Sequence, residues 1–325
     1  MSQNREYKYD NIKAVLIFLV VLGHMLSKFA AGNNTADIIY KIIFSFHMPT
    51  FLFVTGYFAK NDAKRLFRSL LPLYILFQMI NYLVSYAVKL QEGTMSAASI
   101  NIQFFTPRYT LWYLLAIMAY QLLLPLISTD NKRHRAFIIG LAVLAGILIG
   151  YNEDTDNFMG MSRIVCFFPF FLLGYYEKDG RYITGVIERR RRVVKVFSAV
   201  LFFALILLVA RYNKIIDSTW LCHTESYHGT DCTWYIRLLV YIAALPGILF
   251  LAAWSPEKNI RYISLAGRNT LSVYLLHAPA IVYLKSVDRL HAYDGNLPVI
   301  LISALFMTFI FSWNGFNRIL RKVRV

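Results

Sequence analysis

The 325-residue chain is 58% hydrophobic and only 16% charged, with a formal net charge of +16. Its mean hydropathy of +0.49 is too high for a soluble domain of this length, which excludes a water-soluble enzyme. The basicity does not indicate nucleic acid either, because the positive charges are shared out among separate loops.

Apolar runs near twenty residues recur between charged segments, and about that many are needed to cross a hydrocarbon core of roughly 30 Å. Ten runs are read, at 11–29, 37–58, 70–89, 108–127, 135–150, 163–176, 194–211, 234–254, 269–285 and 297–315. The expected fold is all-α: a polytopic membrane helix bundle of about ten transmembrane helices, forming one membrane-embedded domain over 1–325. With the N-terminus in the cytoplasm, 24 of the 34 Lys and Arg fall on inner segments, including four at 60–68 and seven at 178–195. The acidic stretch NEDTD at 152–156 falls outside. That asymmetry is the positive-inside pattern, and it puts both termini in the cytoplasm. No cleavable signal peptide is expected, since the first apolar run ends in Met-Leu-Ser-Lys-Phe without a small-residue cleavage site.

Residues 1–10 read as a short cytoplasmic tail with Asp10 as helix N-cap. In the first span, DNIKAVLIFLVVLGHMLSKF, Lys13 and His24 are eleven residues apart. At about 100° per residue their side chains differ by only about 20°, and Asp10 shares the same stripe. An imidazole at membrane depth usually faces a bundle interior or a cavity, which makes His24 the first candidate for chemistry. In the second span His47 precedes Pro49 by two residues. Proline leaves a backbone carbonyl without its helical donor, so His47 either fills that need or serves function.

Residues 60–69 read as a basic amphipathic segment on the inner surface, followed by a span holding Gln78 and Asn81. Trp112 and Tyr113 open the fourth span as an interfacial belt would, although Trp112 is also a candidate to contact substrate. Arg163 enters the sixth span, where it either snorkels or points inward, and Gly174 beyond Pro169 invites close helix packing. Arg189 to Arg192 read as an anchor on anionic headgroups.

The outer loop 212–233 holds Cys222 and Cys232, a separation suited to a small disulfide-closed loop. His223 and His228 lie between them, but the spacing matches no common zinc pattern, and no metal site is expected. Asn33-Asn34-Thr35 fits a glycosylation sequon too common to use. Span nine follows a polar turn with Arg268 at the inner surface, Asn269 or Thr270 as cap and His277 about two turns in. The tail 316–325 is basic and cytoplasmic. No Walker loop, GxGxxG, HExxH or GxSxG occurs, and no internal repeat suggests a transporter of inverted halves.

His24, His47 and His277, with Lys13 and Arg163, form a polar set that must be buried among helices. Histidine suits general-base work near neutral pH, and a nearby cation can steady an oxyanion. The set fits acyl transfer to a hydroxyl. It fits equally a proton relay in a transporter or flippase of a small or lipid-linked substrate.

The segments DNIKAVLIFLVVLGH, FSFHMPTFLFVTGYF, LWYLLA, RIVCFFPFFLLGYYEK and LAGRNTLSVYLLHAP, in this order, resemble the acyltransferase 3 family, nearest its fucose 4-O-acetylase-like branch. These are integral membrane O-acyltransferases that mostly acetylate bacterial surface sugars. The family's mark on span one is a basic residue, ten intervening residues and a histidine; here Lys13 stands where arginine is commoner. The resemblance implies that His24 is catalytic, as base or transient acyl carrier, and that His47 and Arg163 contribute. It implies acetyl-CoA or another acyl-CoA as donor, no bound cofactor, a sugar or glycan acceptor, and a bacterial plasma membrane with its lipids as surroundings. Asp10, Trp112, Arg268 and His277 are the expected substrate contacts. The hydrolase-like domain often fused to the family is not among these residues, so transfer to the acceptor is expected on this chain or with a separate partner.

Overall fold

The computed structural model describes residues 6–94, 103–153, 158–228, 230–286 and 296–324. Residues 1–5 of the expected tail, 154–156 of the acidic loop and Val325 lie outside them. Among the described residues the fold is helical, with no strand. The helices are α1 (Tyr7–Leu26), α2 (Asn34–Tyr57), α3 (Ala63–Gln91), α4 (Trp112–Ile127), α5 (Lys132–Leu148), α6 (Met161–Gly180), α7 (Thr184–Arg189) and α8 (Arg191–Arg211). There follow α9 (Ser218–Cys222), α10 (Trp234–Trp254), α11 (Arg261–Arg268), α12 (Thr270–Ser286), α13 (Leu297–Phe311) and α14 (Asn314–Val323).

Each apolar run of the sequence coincides with a helix, because an apolar segment without water must satisfy its backbone internally. Among the described residues six are long and apolar enough to cross a membrane: α1, α2, α3, α5 with its 3-10 extension, α8 and α10. Counting α13 and α14, bent by 55°, as one span makes seven. The shorter α4 and α12 have 16 and 17 residues.

Several boundaries differ from the sequence reading. Helix α1 begins at Tyr7 with Glu6 at its N-cap, so Asp10 sits inside the first turn rather than capping it. From Ala63 onward the basic segment 60–69 is the first part of α3, so that helix starts before the apolar run at 70, capped by the Asp62 carboxylate on the Arg65 amide. Span nine is preceded by a distinct helix, α11, and Asn269 marks the break. The Asn269 amide there donates to the Ser312 carbonyl at 2.7 Å and ties the break to the α13–α14 bend.

Helix α1 is the central element, with 72% of its apolar window buried, against 17% for α8, whose Val196, Phe197, Val200 and Phe203 face outward. Asn11 anchors α1: its amide donates to the carbonyls of Pro256 (2.8 Å) and Lys258 (3.0 Å), and its oxygen accepts from the Ser264 hydroxyl at 2.8 Å. The α2–α6 seam is the tightest approach. A Cβ on Gly174 would stand 1.8 Å from the Phe53 carbonyl oxygen, and one on Gly56 would stand 2.0 Å from that of Phe171. Glycine at both positions lets the two backbones touch.

Candidate active site

Lys13 and His24 share one face of α1 yet open into two different cavities. Eleven residues of helix separate them by about 16 Å along the axis. Near the start of α1, Lys13 lines a cavity of about 620 Å³ with Lys60, Arg65 and Arg324; Asp62 is the one acid among its lining residues. The Lys13 ammonium is 3.0 Å from the buried Asp10 carboxylate and 5.7 Å from the Phe58 ring centroid. Asp10 therefore positions Lys13 from behind and does not itself line the cavity.

Near the far end of α1, a cavity of about 280 Å³ is lined by His24, His47, Trp112 and Arg163. Four candidates from four different helices thus meet around one space. Arg163 lies one turn past Gly160, whose left-handed backbone (φ 65°) starts α6. The Arg163 guanidinium sits 5.4 Å from the Trp112 ring, which stacks on Phe167 with centroids 5.3 Å apart. Trp112 is buried rather than part of an interfacial belt. The guanidinium is held over an aromatic face, on the lining of the same cavity as His24.

Histidine tautomers follow from their partners. Nδ1 of His47 is 2.7 Å from the Ile43 carbonyl, and Nδ1 of His277 is 3.0 Å from that of Val273. A carbonyl only accepts, so both rings carry their proton on Nδ1 and keep a lone pair on Nε2. His47 therefore does not serve the carbonyl that Pro49 deprives, which belongs to Ser45 one turn back. His277 is fully buried beside the cavity rather than on its lining, with its ring centroid 5.4 Å from that of His24. Arg268 is exposed at the end of α11 and lines neither cavity.

Tyr274 lines both spaces and forms the wall between them. Its ring is 5.3 Å from Tyr113, its hydroxyl donates to the Thr110 carbonyl, and the Tyr113 and Thr55 hydroxyls bond at 2.6 Å. The loop leading to Thr110 is held from α3. The Gln78 amide donates to the carbonyls of Gln103 (2.9 Å) and Thr106 (2.8 Å), and its oxygen accepts from the Arg108 amide at 3.0 Å. Sequence reasoning missed Tyr274 and this role of Gln78; a polar amide inside an apolar run was the available signal.

A second, more polar hollow of about 480 Å³ adjoins the His24 cavity, sharing Ser27, Tyr40 and Ser218 and adding Asn34, Asp37 and Lys214. The loop 212–233 covers this end. Among the described residues no disulfide joins Cys222 to Cys232. Cys222 instead lies beside the Tyr40 hydroxyl on the cavity lining, and Cys232 is buried beside Arg237, its thiol raised chiefly by burial. His223 adopts a left-handed backbone (φ 54°) and its carbonyl accepts from the Ser162 hydroxyl at 2.7 Å. Burial first, and the Arg237 charge second, push its imidazole down to about 3. No cluster of three metal-binding side chains occurs among the described residues.

This geometry coincides with a family match. A family model described as an acyltransferase domain, acyltransferase 3, covers residues 6–315, and the chain belongs to that family of multi-pass membrane proteins. Nodulation protein NolL of Sinorhizobium fredii is 27% identical over 191 residues, 54% of this chain and 49% of the relative. Nodulation protein NolL of Mesorhizobium japonicum is 23% identical over 241 residues, 69% of this chain and 62% of the relative. The matches thus span about half to three fifths of these relatives' length. No solved structure matches the chain.

Proposed function

We propose that this protein is a membrane O-acyltransferase, most simply an O-acetyltransferase, that moves an acyl group from cytosolic acyl-CoA to a sugar hydroxyl outside a bacterial plasma membrane. The observation that carries the reading is the pair of cavities at the two ends of α1, parted by Tyr274. The Lys13 cavity suits an anionic donor, since its cations outnumber its one lining acid and phosphates are held by such charge. A cytoplasmic orientation of this cavity, with both termini inside and ten spans in all, is supported by the basic loops read on the same side. The His24 cavity and its polar annexe suit a hydroxyl-rich acceptor, with Tyr40, Asn34 and Asp37 offering a ring face, an amide and a carboxylate. The acceptor is a cell-surface or lipid-linked glycan.

In the reaction His24 removes the acceptor hydroxyl proton as the oxygen attacks the thioester carbonyl. Arg163 faces the developing oxyanion, the C–S bond breaks, and the thiolate takes the proton back from His24. General-base catalysis of this kind contributes about 10²–10⁴-fold. A variant in which His24 first carries the acyl group uses the same residues.

The test is transfer from radiolabelled acetyl-CoA, with purified protein in nanodiscs and a panel of glycosides as acceptors. His24→Ala should abolish ester formation while leaving membrane abundance unchanged. Full activity in that variant removes His24 from the reaction. Transport of a glycoside without thioester consumption supports a flippase instead.

A further inference from the structure

His277 is 0% exposed, its Nδ1 is committed to the Val273 carbonyl, and its Nε2 meets no hydrogen-bond partner. A buried acceptor left unmet is unfavourable and calls for a donor close by. The imidazole of His24 lies beside it, with centroids 5.4 Å apart and planes inclined by 36°. Two imidazoles joined by an N–H···N bond sit roughly 5 Å apart between centroids, given donor–acceptor separations near 3 Å. A small rotation of the His24 side chain therefore closes the contact, and catalytic hydrogen bonds often tighten only when substrate is bound. Of the other neighbours of His24, Arg163 and Lys285 only donate, and His47, which also keeps an Nε2 lone pair, lines the cavity, whereas the Nε2 of His277 is shut away from it.

We propose that His277 is the positioning residue of the transfer reaction, accepting an N–H from His24 through its Nε2. That bond selects the His24 tautomer whose other nitrogen carries a lone pair toward the cavity, where the acceptor hydroxyl arrives. When His24 takes the hydroxyl proton, the same bond holds the imidazolium in place until the departing thiolate recovers the proton. His277 itself neither gains nor loses a proton. Its place one turn beyond Tyr274 on α12 ties the orientation of His24 to the wall between the two cavities. The inference rests on His24 acting as the base.

The experiment compares His277→Gln with His277→Met in nanodiscs, measuring kcat, KM for donor and acceptor, and Tm. Both replacements are near the size of histidine, but only glutamine puts an acceptor oxygen near the Nε2 position. The expected result is an approximately 10²-fold fall in kcat for Met with both KM values unchanged, and a Gln variant within about 10-fold of the unaltered protein. Adding His277→Met to His24→Ala should cause no further loss, because residues acting as one unit are not additive. Equal kcat for Gln and Met, or a Met effect confined to KM, overturns the proposal, as does a fall in kcat that tracks Tm in both variants. An inactive His24→Ala beside a fully active His277→Met refutes only the positioning role, whereas an active His24→Ala refutes the base itself.

Discussion

Replacing Gly174 with alanine tests whether the α2–α6 seam sets the geometry of the site. The added Cβ would stand 1.8 Å from the Phe53 carbonyl oxygen and 2.6 Å from its carbon, with backbone on the far side rather than a yielding side chain. Ordinary carbon–oxygen contact begins at about 3.4 Å, so the helices must part by about 1.6 Å at that point. Helix α2 carries His47 and α6 carries Arg163, so the displacement is passed on to two residues of the His24 cavity. Overpacking of this kind costs about 1–3 kcal/mol, and a misplacement near 1 Å in an active site costs about 10²-fold in rate. Thermal unfolding in detergent should show a Tm lowered by several degrees. Acyl transfer in nanodiscs at the assay temperature should fall by one to two orders of magnitude in protein that is still folded. An alanine variant with unchanged Tm and rate would show that the seam gives way without disturbing the cavity.

Charge reversal at the Lys13 cavity, Lys60→Glu with Arg65→Glu, should raise the donor KM about tenfold at low ionic strength, less at high salt, and leave the acceptor KM alone. An unchanged donor KM would place the donor elsewhere. Asn11→Ala removes three hydrogen bonds, one buried and two part-buried, joining α1 to α11 and the loop before it, and should destabilise the protein by about 2–3 kcal/mol in thermal or chemical unfolding. His223 titrates near 3 when folded and near 6.5 when unfolded, so the open loop binds more protons. The stability held by its neutral ring is complete above about pH 6.5 and is lost as pH falls toward 3. Proteolysis of the loop 212–233 should accelerate across that window, and His223→Asn, which tolerates the left-handed backbone, should flatten the dependence.

The sequence by itself determined where the helices lie and which face of α1 carries Lys13 and His24. Apolar runs locate membrane helices because lipid leaves the backbone no other partner, and the regular pitch of a helix puts Lys13 and His24 on one stripe. Helix ends were less legible. Asp10 is not the cap because α1 runs one turn further back, to Tyr7 with Glu6 at its N-cap position, and α3 begins at Ala63, before its apolar run, because the Asp62 carboxylate caps it there.

Only the tertiary structure decided which stripes face one another. The rotation of α12 about its axis is set by packing against α1 and α13, and this brings His277 to His24 while leaving Arg268 exposed on the neighbouring α11. Nothing local to LAGRNTLSVYLLHAP distinguishes those two fates. The same holds for Tyr274, which reads as one more aromatic in an apolar run until two cavities meet at it. Periodicity measures angles along a single helix, and a reaction between helices depends on angles across the bundle, which the packed core fixes.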